Sequence, residues 1–232
     1  MVVAYATDKK LYYYLYPITS ALIDKNPEVE RIHIFQQEPL DAEEYKLTDS
    51  RIVIHPYSEV GEYISSLGPY SNYRFGMMTF ARLCLPMILE EEKVLYLDVD
   101  AFVRKNLSEF WNTDFKENYV VGCAEPKKTF HNDPYLNAGV LLMNLEGIRT
   151  SGLWREWVEM MNHGKPLVDG DQDIIHRTCK GRKGTVPPTF NSNKYTQIVS
   201  NPHIEHGTPI KPWNPKFKYY REYLEYDNRR VK

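Results

Sequence analysis

The stretch from Val94 to Arg104 constrains the fold more than any other part of the chain, because a short apolar run leads directly into two carboxylates. The run is rich in Val, Leu and Tyr and follows a polar segment, which is typical of a buried strand. Side chains on an extended chain alternate between its two faces. We therefore expect Asp98 and Asp100 on one side of the strand and Val99 on the other.

Two neighbouring carboxylates are costly unless a cation lies between them. At a separation of about 4 Å they repel by roughly 4 kcal/mol at an effective dielectric constant near 20. A divalent metal ion held by oxygen ligands would remove this cost. The alternative is that Asp98 ends the strand and Asp100 caps the next turn. From this motif alone both interpretations stay open.

Composition limits the class of protein. The 232 residues suffice for one large domain, or for a domain with a small appendage. The hydrophobic fraction of 42% is slightly below that of typical soluble domains, but 18 Tyr and 9 Phe can supply core volume. The net charge of -2 argues against a general nucleic-acid binder, which needs an excess of Lys and Arg.

The number of cysteines and the length of the apolar runs indicate the cellular compartment. Cys84, Cys123 and Cys179 are odd in number and far apart, which predicts reduced thiols in a cytoplasmic protein. Charged residues from Asp8 onward interrupt the first apolar stretch, so we expect no signal peptide. The apolar runs are far shorter than the roughly 18 residues that span a bilayer. We expect no transmembrane segment.

Periodicity predicts alternating strands and helices, which is an α/β pattern. Apolar runs predict strands at residues 1–6, 31–35, 51–54, 94–97, 119–124 and 135–145. Helical spacing predicts helices at residues 12–23, 72–87, 148–161 and 172–178, and a capped helical turn at 106–111. Pro86 is expected to kink or end its helix. The Pro-, Asn- and His-rich residues 187–215 are predicted to be mostly loop.

Four polar stretches follow predicted strands or open predicted helices. They are Thr7–Asp8, Asp98–Asp100, Asn137–Gly139 and Asp169–Gln172, the third being interpreted as an elbow before its strand. In open α/β sheets the ligand crevice lies at the carboxyl ends of the strands. We therefore expect these stretches to converge on one site.

Four motifs in register resemble one known family. They are Tyr96-Leu97-Asp98-Val99-Asp100, Tyr135-Leu136-Asn137-Ala138-Gly139-Val140, Asp171-Gln172-Asp173, and His206 followed by Lys211-Pro212-Trp213. Arg82 lies in the predicted helix before the first motif. In this order they resemble glycosyltransferase family 8, which includes bacterial lipopolysaccharide galactosyl- and glucosyltransferases and glycogenin. The resemblance extends from Val3 to Trp213.

The resemblance implies a fold and a reaction. The fold would be GT-A, a single Rossmann-like nucleotide-sugar-binding domain at residues 1–214 with a mixed, mostly parallel central sheet. Residues 215–232 would form a basic, aromatic tail or helix. The reaction would move a hexose, glucose or galactose, from a UDP-sugar to a glycan, lipid-linked or protein acceptor with retention of configuration. The implied cofactor is Mn²⁺, with Mg²⁺ as the alternative.

The resemblance also implies roles for individual residues. The metal ligands would be Asp98, Asp100 and His206. The nucleotide-sugar would contact Ala6, Thr7, Asp8, Tyr12, Arg82, Asp98, Val99, Asp100, Asn137, Ala138, Asp171, Gln172, Gly207 and Lys211. The catalytic residues would be Gln172 and Asp171. Without a ligand, Arg82 could be a surface residue and Asp171 a helix cap.

The sequence departs from the family pattern in two places. His206 and Lys211 are five positions apart, one fewer than usual, which makes His203 a rival metal ligand. In the N-terminal loop, two lysines at 9–10 replace the usual acidic or amide residues. The uracil-stacking tyrosine expected after that loop falls near Leu11 or Tyr12.

Chemistry favours one mechanism over another without excluding either. Negative charge accumulates on the diphosphate as the sugar becomes cationic, so the metal ligands and Lys211 would stabilise the leaving group. The amide of Gln172 is a poor nucleophile, which favours front-face attack by the acceptor hydroxyl. A covalent glycosyl-enzyme at Asp171 is the alternative.

Two other functions fit parts of the sequence. A non-catalytic nucleotide-sugar- or glycan-binding module could share the fold, although such a module would be expected to lose Gln172 or a metal ligand. A phosphohydrolase of the haloacid-dehalogenase type also places Asp-x-Asp after a strand. That class has Thr or Val at the position of Phe102, and its motif lies near the N-terminus. Both differences disfavour a phosphohydrolase here.

The C-terminal residues 211–232 suggest two alternatives. They carry seven Lys or Arg against three Asp or Glu, interleaved with aromatic residues. A basic aromatic helix could lie on an anionic membrane, placing a cytoplasmic enzyme at the inner membrane face. Alternatively, the tyrosines pack a C-terminal helix onto the domain.

Overall fold

The computed structural model describes residues 1–64, 76–129 and 133–227. Seven strands form the main sheet: β1 (Val2–Thr7), β2 (Arg31–Gln36), β3 (Ile52–His55), β4 (Lys93–Leu97), β6 (Val120–Ala124), β7 (Leu136–Asn144) and β8 (Lys183–Thr185). Their order across the sheet is β3-β2-β1-β4-β7-β6-β8. Two short strands, β5 (Ala101–Val103) and β9 (Ile204–His206), pair antiparallel beside it.

The main sheet is mixed and mostly parallel, as predicted. Strand β1 is parallel to β2 and β4, β2 to β3, and β6 to β8, whereas β7 is antiparallel to both of its neighbours. The start of β7 therefore lies at the same sheet edge as the carboxyl ends of β1 and β4. Eight of the nine β7 residues are buried, as expected for a strand covered on both faces.

Helices cover both faces of the sheet. They are α1 (Tyr12–Lys25), α2 (Tyr57–Ile64), α3 (Ala81–Ile88), α4 (Ser108–Trp111), α5 (Leu145–Ser151), α6 (Leu153–His163), α7 (Asp171–Thr178) and α8 (Tyr220–Tyr226). One hydrophobic core joins α1, α8 and β5, and the other joins α2, α3, α5 and α6.

Two predicted helices differ from those observed. The predicted helix 148–161 is wrong as one unit, because α5 and α6 meet at Gly152, which has a left-handed φ of 75° that favours glycine. In the predicted helix 72–87, residues 72–75 lie outside the described residues. Met77–Phe80 is a 3-10 turn, and α3 continues two residues past Pro86.

One further expectation about elements is wrong, and some short elements were not predicted. Asn137–Gly139 lies inside β7 and forms no elbow, because β7 continues past the end of its neighbour β4. Residues 187–215 are mostly loop, as predicted, although they contain β9, which pairs with β5. Helix α2 and strand β8 had no prediction, since both are short and lack a clear period.

The C-terminal helix packs on the domain. Phe217 and Tyr223 are buried in the core that also contains β5. Arg104 donates to Glu222 over 2.8 and 2.7 Å, and Tyr226 donates to Asp24 over 2.7 Å. This is the packed-helix alternative for Tyr220–Tyr226. The domain boundary at residue 214 stays a prediction.

Two sequence expectations concern thiols and membrane spans. Cys84, Cys123 and Cys179 are all buried and unpaired with one another. Within the described ranges, every helix is too short or too polar to cross a bilayer.

Candidate active site

A cavity of about 490 Å³ opens at the sheet edge where β1 and β4 end and β7 begins. All four polar stretches identified in the sequence contribute to its wall. The predicted site residues that line it are Ala6, Thr7, Asp8, Arg82, Asp98, Val99, Asp100, Asn137, Ala138, Asp171, Gln172, His206 and Lys211. Two predicted residues, Tyr12 and Gly207, are not among its described lining residues.

Asp98 and Asp100 converge through a turn and not through an extended strand. Strand β4 ends at Leu97, and the amide of Ala101 donates to the carbonyl of Asp98 over 2.9 Å. The expected alternation of faces is therefore the wrong reason for their proximity. Val99 is 3% exposed and packs in the core while also reaching the cavity wall.

His206 completes a cluster with the two carboxylates. Its Nε2 lies 3.3 Å from Asp100 Oδ1 and 3.8 Å from Asp98 Oδ2, and one ligand atom from each of the three residues falls within 4.8 Å of the others. Pairing of β9 with β5 brings His206 opposite Ala101. Burial lowers the pKa of His206, but Asp100 raises it more, so the net shift is upward.

His203 lies away from this cluster. Its ring stacks on Phe190 at 4.6 Å, and it precedes β9, whereas His206 ends that strand. The structure therefore brings His206 and not His203 to the two aspartates. The shortened spacing before Lys211 is accommodated by a tight loop after His206.

The cluster fits a divalent metal ion. Two carboxylates and one imidazole offer oxygen and nitrogen donors in a donor set that Mn²⁺ accepts. The Nδ1 of His206 lies 3.0 Å from Asn191 Oδ1, which orients Nε2 toward the carboxylates. Such a hydrogen bond on the far side of a histidine is the usual way that proteins fix a metal-binding imidazole.

Two basic side chains of the protein pair with the carboxylates of the site. Arg82 is 3% exposed and donates to Asp98 Oδ1 over 2.9 Å and to the carbonyl of Ala138. Lys211 donates to Asp100 Oδ2. Burial raises the pKa of Asp100, but His206 and Lys211 hold it well below its usual range. Arg82 is thus a buried site residue and not a surface arginine.

Asp171 is a buried carboxylate at the start of α7. Gly170 occupies the cap position, so Asp171 lies inside the helix and is not its cap. It is 3% exposed, and its Oδ2 lies 3.1 Å from Arg82 Nε. Burial raises its pKa to about 7, although Arg82 lowers it. A negative charge on Asp171 therefore destabilises the folded state.

A hydrogen-bond network orients the amide of Gln172. Its Oε1 accepts from the amide of Ala138 over 2.8 Å, and its Nε2 donates to Glu125 over 3.2 Å. Glu125, 3% exposed, also accepts from Asn137 over 2.7 Å. One buried carboxylate thus holds two predicted sugar-contacting amides in place.

Sequence reasoning missed several residues of the site. Asn191 donates to Asn137 over 2.9 Å and also contacts His206, so it joins the strand β7 side of the cavity to β9. Further lining residues without a prediction include Glu125, Lys128 and Tyr195. The position of Glu125 could have indicated a site residue, because it directly follows the predicted strand 119–124, as Asp98 follows the strand before it.

The N-terminal part of the cavity differs from the expected pattern. Tyr12 is fully buried, and its hydroxyl bonds to the backbone of Glu38 and not to the cavity. Leu11 lines the cavity instead. Gly207 donates its amide to the carbonyl of Asp100 over 2.8 Å, so it shapes the loop that carries Lys211.

Gly139 leaves no room for a side chain beside the cluster. A Cβ atom there would lie 2.3 Å from Cε1 of His206 and 2.6 Å from Oδ2 of Asp98. Its carbonyl accepts from the amide of Asp98 over 2.8 Å, which fixes the start of the turn. An added Cβ atom would therefore force the side chain of His206 or Asp98 to move from the present arrangement of the three ligand atoms.

Comparisons with known proteins agree on one family. The family model for glycosyl transferase family 8 matches residues 16–216. A putative glycosyltransferase from Haemophilus influenzae is 31% identical over 128 residues, which cover 50% of this chain and 39% of that relative. The chain thus spans well under half of the length of this curated relative.

Solved structures share the fold. An active-site mutant of LgtC superimposes with a TM-score of 0.79 at 24% identity, covering 97% of this chain and 94% of that one. The galactosyltransferase LgtC in complex with donor and acceptor sugar analogues gives a TM-score of 0.77 at 24% identity, covering 98% and 95%. Both are GT-A glycosyltransferases, so the fold expectation is confirmed. With the family model matching most of its length, the chain belongs to glycosyl transferase family 8.

Proposed function

We propose that this glycosyltransferase moves a hexose, glucose or galactose, from a UDP-sugar to a glycan, lipid-linked or protein acceptor with retention of configuration. The observation that carries the proposal is the meeting of Asp98, Asp100 and His206 in one cavity with Lys211 and the hydrogen-bonded amide of Gln172. Cations and metal ligands at one end suit a diphosphate, and oriented amides at the other suit a sugar. The similar galactosyltransferase LgtC was crystallised with donor and acceptor sugar analogues, which supports a donor and an acceptor sugar as substrates.

The metal ligands and Lys211 would act on the leaving group. A divalent cation held by Asp98, Asp100 and His206 would supply positive charge to the diphosphate as the glycosidic bond breaks. Lys211 would turn from Asp100 to the phosphate oxygens. Mn²⁺ is the proposed ion and Mg²⁺ the alternative, since both accept carboxylate ligands.

The sugar would be held by Asn137, Asp171 and Gln172, with Arg82 fixing the position of Asp171. In the proposed front-face reaction, the acceptor oxygen bonds to the anomeric carbon as the bond from that carbon to the phosphate oxygen breaks. The acceptor proton passes to the departing phosphate. Both carbonyl and amino groups of Gln172 already have protein partners, which supports a stabilising role over a nucleophilic one.

Release of UDP tests the proposal directly. Purified protein would be incubated with UDP-glucose or UDP-galactose and Mn²⁺, and free UDP would be measured over time. We expect slow release from one donor through hydrolysis, accelerated by a suitable acceptor. A protein that binds UDP but releases none with any sugar acceptor would be a binding module, which is the second function considered.

A further inference from the structure

Far from the cavity, four titratable side chains form a continuous hydrogen-bonded chain. Glu91 Oε1 lies 3.1 Å from His33 Nε2, His33 Nδ1 lies 2.7 Å from His55 Nε2, and His55 Nδ1 lies 2.7 Å from Glu59 Oε2. The chain joins β2, the edge strand β3, helix α2 and the turn before β4. All three distances are those of well-formed hydrogen bonds.

Counting protons shows that two neutral histidines cannot supply a hydrogen to each of the three contacts. Each of the three hydrogen bonds requires one proton. An ionised carboxylate only accepts, and a neutral imidazole carries one N–H and one lone pair. His33 and His55 in neutral form supply two protons, so the third contact would set a lone pair against a carboxylate. A third proton removes that repulsion.

The surroundings decide where the third proton resides. The side chain of His33 is 4% exposed and that of His55 is 13% exposed. Burial lowers the pKa of His33, Glu91 raises it, and the charges of His55 and Arg31 lower it, so the net shift is downward. Burial raises the pKa of Glu91, but hydrogen bonding and His33 lower it more, so Glu91 stays ionised.

Besides Arg31, whose positive charge acts on His33 and Glu91, the described core on this side of the sheet contains Tyr57 and Cys84, both uncharged near neutral pH. Burial raises the pKa of Tyr57 on α2 and of Cys84 on α3. Phe35 stacks on His55 at 4.3 Å and supplies an apolar wall. Arg31 acts on His33 and Glu91, so the proton count leaves the ring of His55 to supply the charge opposite Glu59, whose side chain is 39% exposed.

We propose that Glu91, His33, His55 and Glu59 form a proton-binding site that holds one proton more than two neutral histidines carry, with His55 as the imidazolium. His33 is then the neutral Nε2–H form, which donates to Glu91 and accepts from His55. His55 donates from both nitrogens, to His33 and to Glu59. The site bridges the edge strand to α2, so the bound proton stabilises this corner of the fold.

The sign of the pH effect follows from this assignment. With the extra proton bound, the folded state holds one proton more than the unfolded chain above about pH 6.5, where unperturbed histidines become neutral. The stabilisation is fully present below that pH and is lost as pH rises and the four-residue site releases its extra proton. Over this interval the folding equilibrium constant falls by up to about tenfold per pH unit.

Carboxylate-to-amide variants remove the need for the extra proton. In Glu59→Gln the new amide donates to His55, so three hydrogen bonds remain with both rings neutral. Glu91→Gln does the same from the other end, with the amide donating to His33. Glu62→Gln is the matched control, because Glu62 is exposed on the same helix.

Two-bond ¹H–¹⁵N spectra of histidine-labelled protein test the proposal, with His33→Gln and His55→Gln used to assign the rings. Near neutral pH we expect His55 protonated on both nitrogens and His33 only on Nε2. Glu59→Gln should give a neutral His55, and Glu62→Gln should match the wild type. Two neutral rings in the wild type, or a charged His55 that persists in both amide variants, would overturn the proposal.

Denaturant unfolding between about pH 6.5 and 9 provides an independent readout. The stability of the wild type should fall relative to Glu59→Gln as pH rises, and Glu62→Gln should follow the wild type. Parallel pH profiles for the wild type and Glu59→Gln would contradict the proton count. None of these measurements depends on sugar transfer, so they stand apart from the proposed function.

Discussion

Lys211 donates a hydrogen bond to Asp100, one of the two carboxylates that face His206. The Lys211 side chain is 45% exposed, whereas that of Asp100 is 12% exposed. Lys211 thus neutralises the same carboxylate that the proposed metal ion would also neutralise. Lys211 contacts Oδ2 of Asp100, whereas His206 faces Oδ1, so a metal ion beside Lys211 would compete with it for the charge of this carboxylate.

This competition predicts opposite effects of Lys211→Met on two ligands. Mn²⁺ alone should bind more tightly, by about tenfold, which corresponds to about 1.4 kcal/mol. UDP in the presence of Mn²⁺ should bind more weakly by at least a similar factor. Isothermal titration calorimetry measures both. Lys218→Met, which removes an exposed lysine outside the cavity, should change neither affinity, and weaker Mn²⁺ binding by Lys211→Met would refute the competition.

The proposed metal ligands predict a joint effect of metal and nucleotide on thermal stability. A ligand at 100 times its dissociation constant adds about 2.7 kcal/mol. At roughly 2 to 4 °C per kcal/mol, UDP with Mn²⁺ should raise the melting temperature by about 5 to 10 °C, and more than the separate shifts combined. Asp98→Ala, Asp100→Ala and His206→Ala should abolish the Mn²⁺-dependent part.

His203→Ala is the matched control for the metal ligands, because that ring stacks on Phe190 and not against the aspartates. It should retain the Mn²⁺-dependent shift. Equal shifts with GDP, ADP and UDP would contradict the uridine assignment. No shift with any nucleotide would contradict the proposed donor.

The amide network around Gln172 predicts a loss of turnover without a loss of nucleotide affinity. Gln172→Ala should lower kcat by at least tenfold, about 1.4 kcal/mol, while UDP affinity is unchanged. Glu125→Gln should lower kcat less, since it orients Gln172 and Asn137 without a proposed contact to the reacting atoms. Steady-state kinetics and UDP calorimetry separate the two effects. Full turnover in Gln172→Ala would remove this residue from the mechanism.

The raised pKa of His206 predicts that Mn²⁺ binding releases a proton. The imidazole must lose its proton to bind a metal, so Mn²⁺ affinity should increase as pH rises and become constant above the pKa of His206. Titrations near pH 6.5 in two buffers of different ionisation enthalpy give the number of protons released. Release should approach zero near pH 9. Release that is equal at both pH values would contradict this assignment.

Burial of Asp171 predicts a gain in stability when its charge is removed. Its folded-state pKa of about 7 lies above the usual 3.8, so the folded state holds a proton that the unfolded chain has already lost. Stability therefore falls as pH rises between these values, by up to about 4 kcal/mol. Asp171→Asn should melt several degrees higher than the wild type at pH 8 and lose most of its turnover. A lower melting temperature at pH 8 would show that pairing with Arg82 outweighs burial.

The sequence predicted the sheet well because its strands are short apolar runs between polar segments. It failed at Gly152, where the apolar period continues through a glycine that reverses the backbone and divides one predicted helix into α5 and α6. Strands β5 and β9 were missed because three residues are too few to show a period. Only their long-range pairing makes them strands.

The candidate site was predicted through motifs, so residues outside a motif were missed. Asp98, Asp100 and His206 converge as expected, although a turn and not an extended strand brings the two aspartates together. Asn191 and Glu125 orient other side chains, and this role leaves no local pattern in a sequence. Tyr12 was assigned by position alone, and its hydroxyl bonds to a neighbouring loop.

The absence of a side chain at Gly139 gives experimenters a steric way to inactivate the enzyme. One added methyl group would occupy space now held by His206 and Asp98, while every charged and hydrogen-bonding side chain of the cavity stays in the sequence. Gly139→Ala therefore differs from a ligand deletion, which alters the charge that a sugar nucleotide meets. Expressed in a cell beside the wild type, it would distinguish the phenotypes that need transfer from those that need only the presence of the protein.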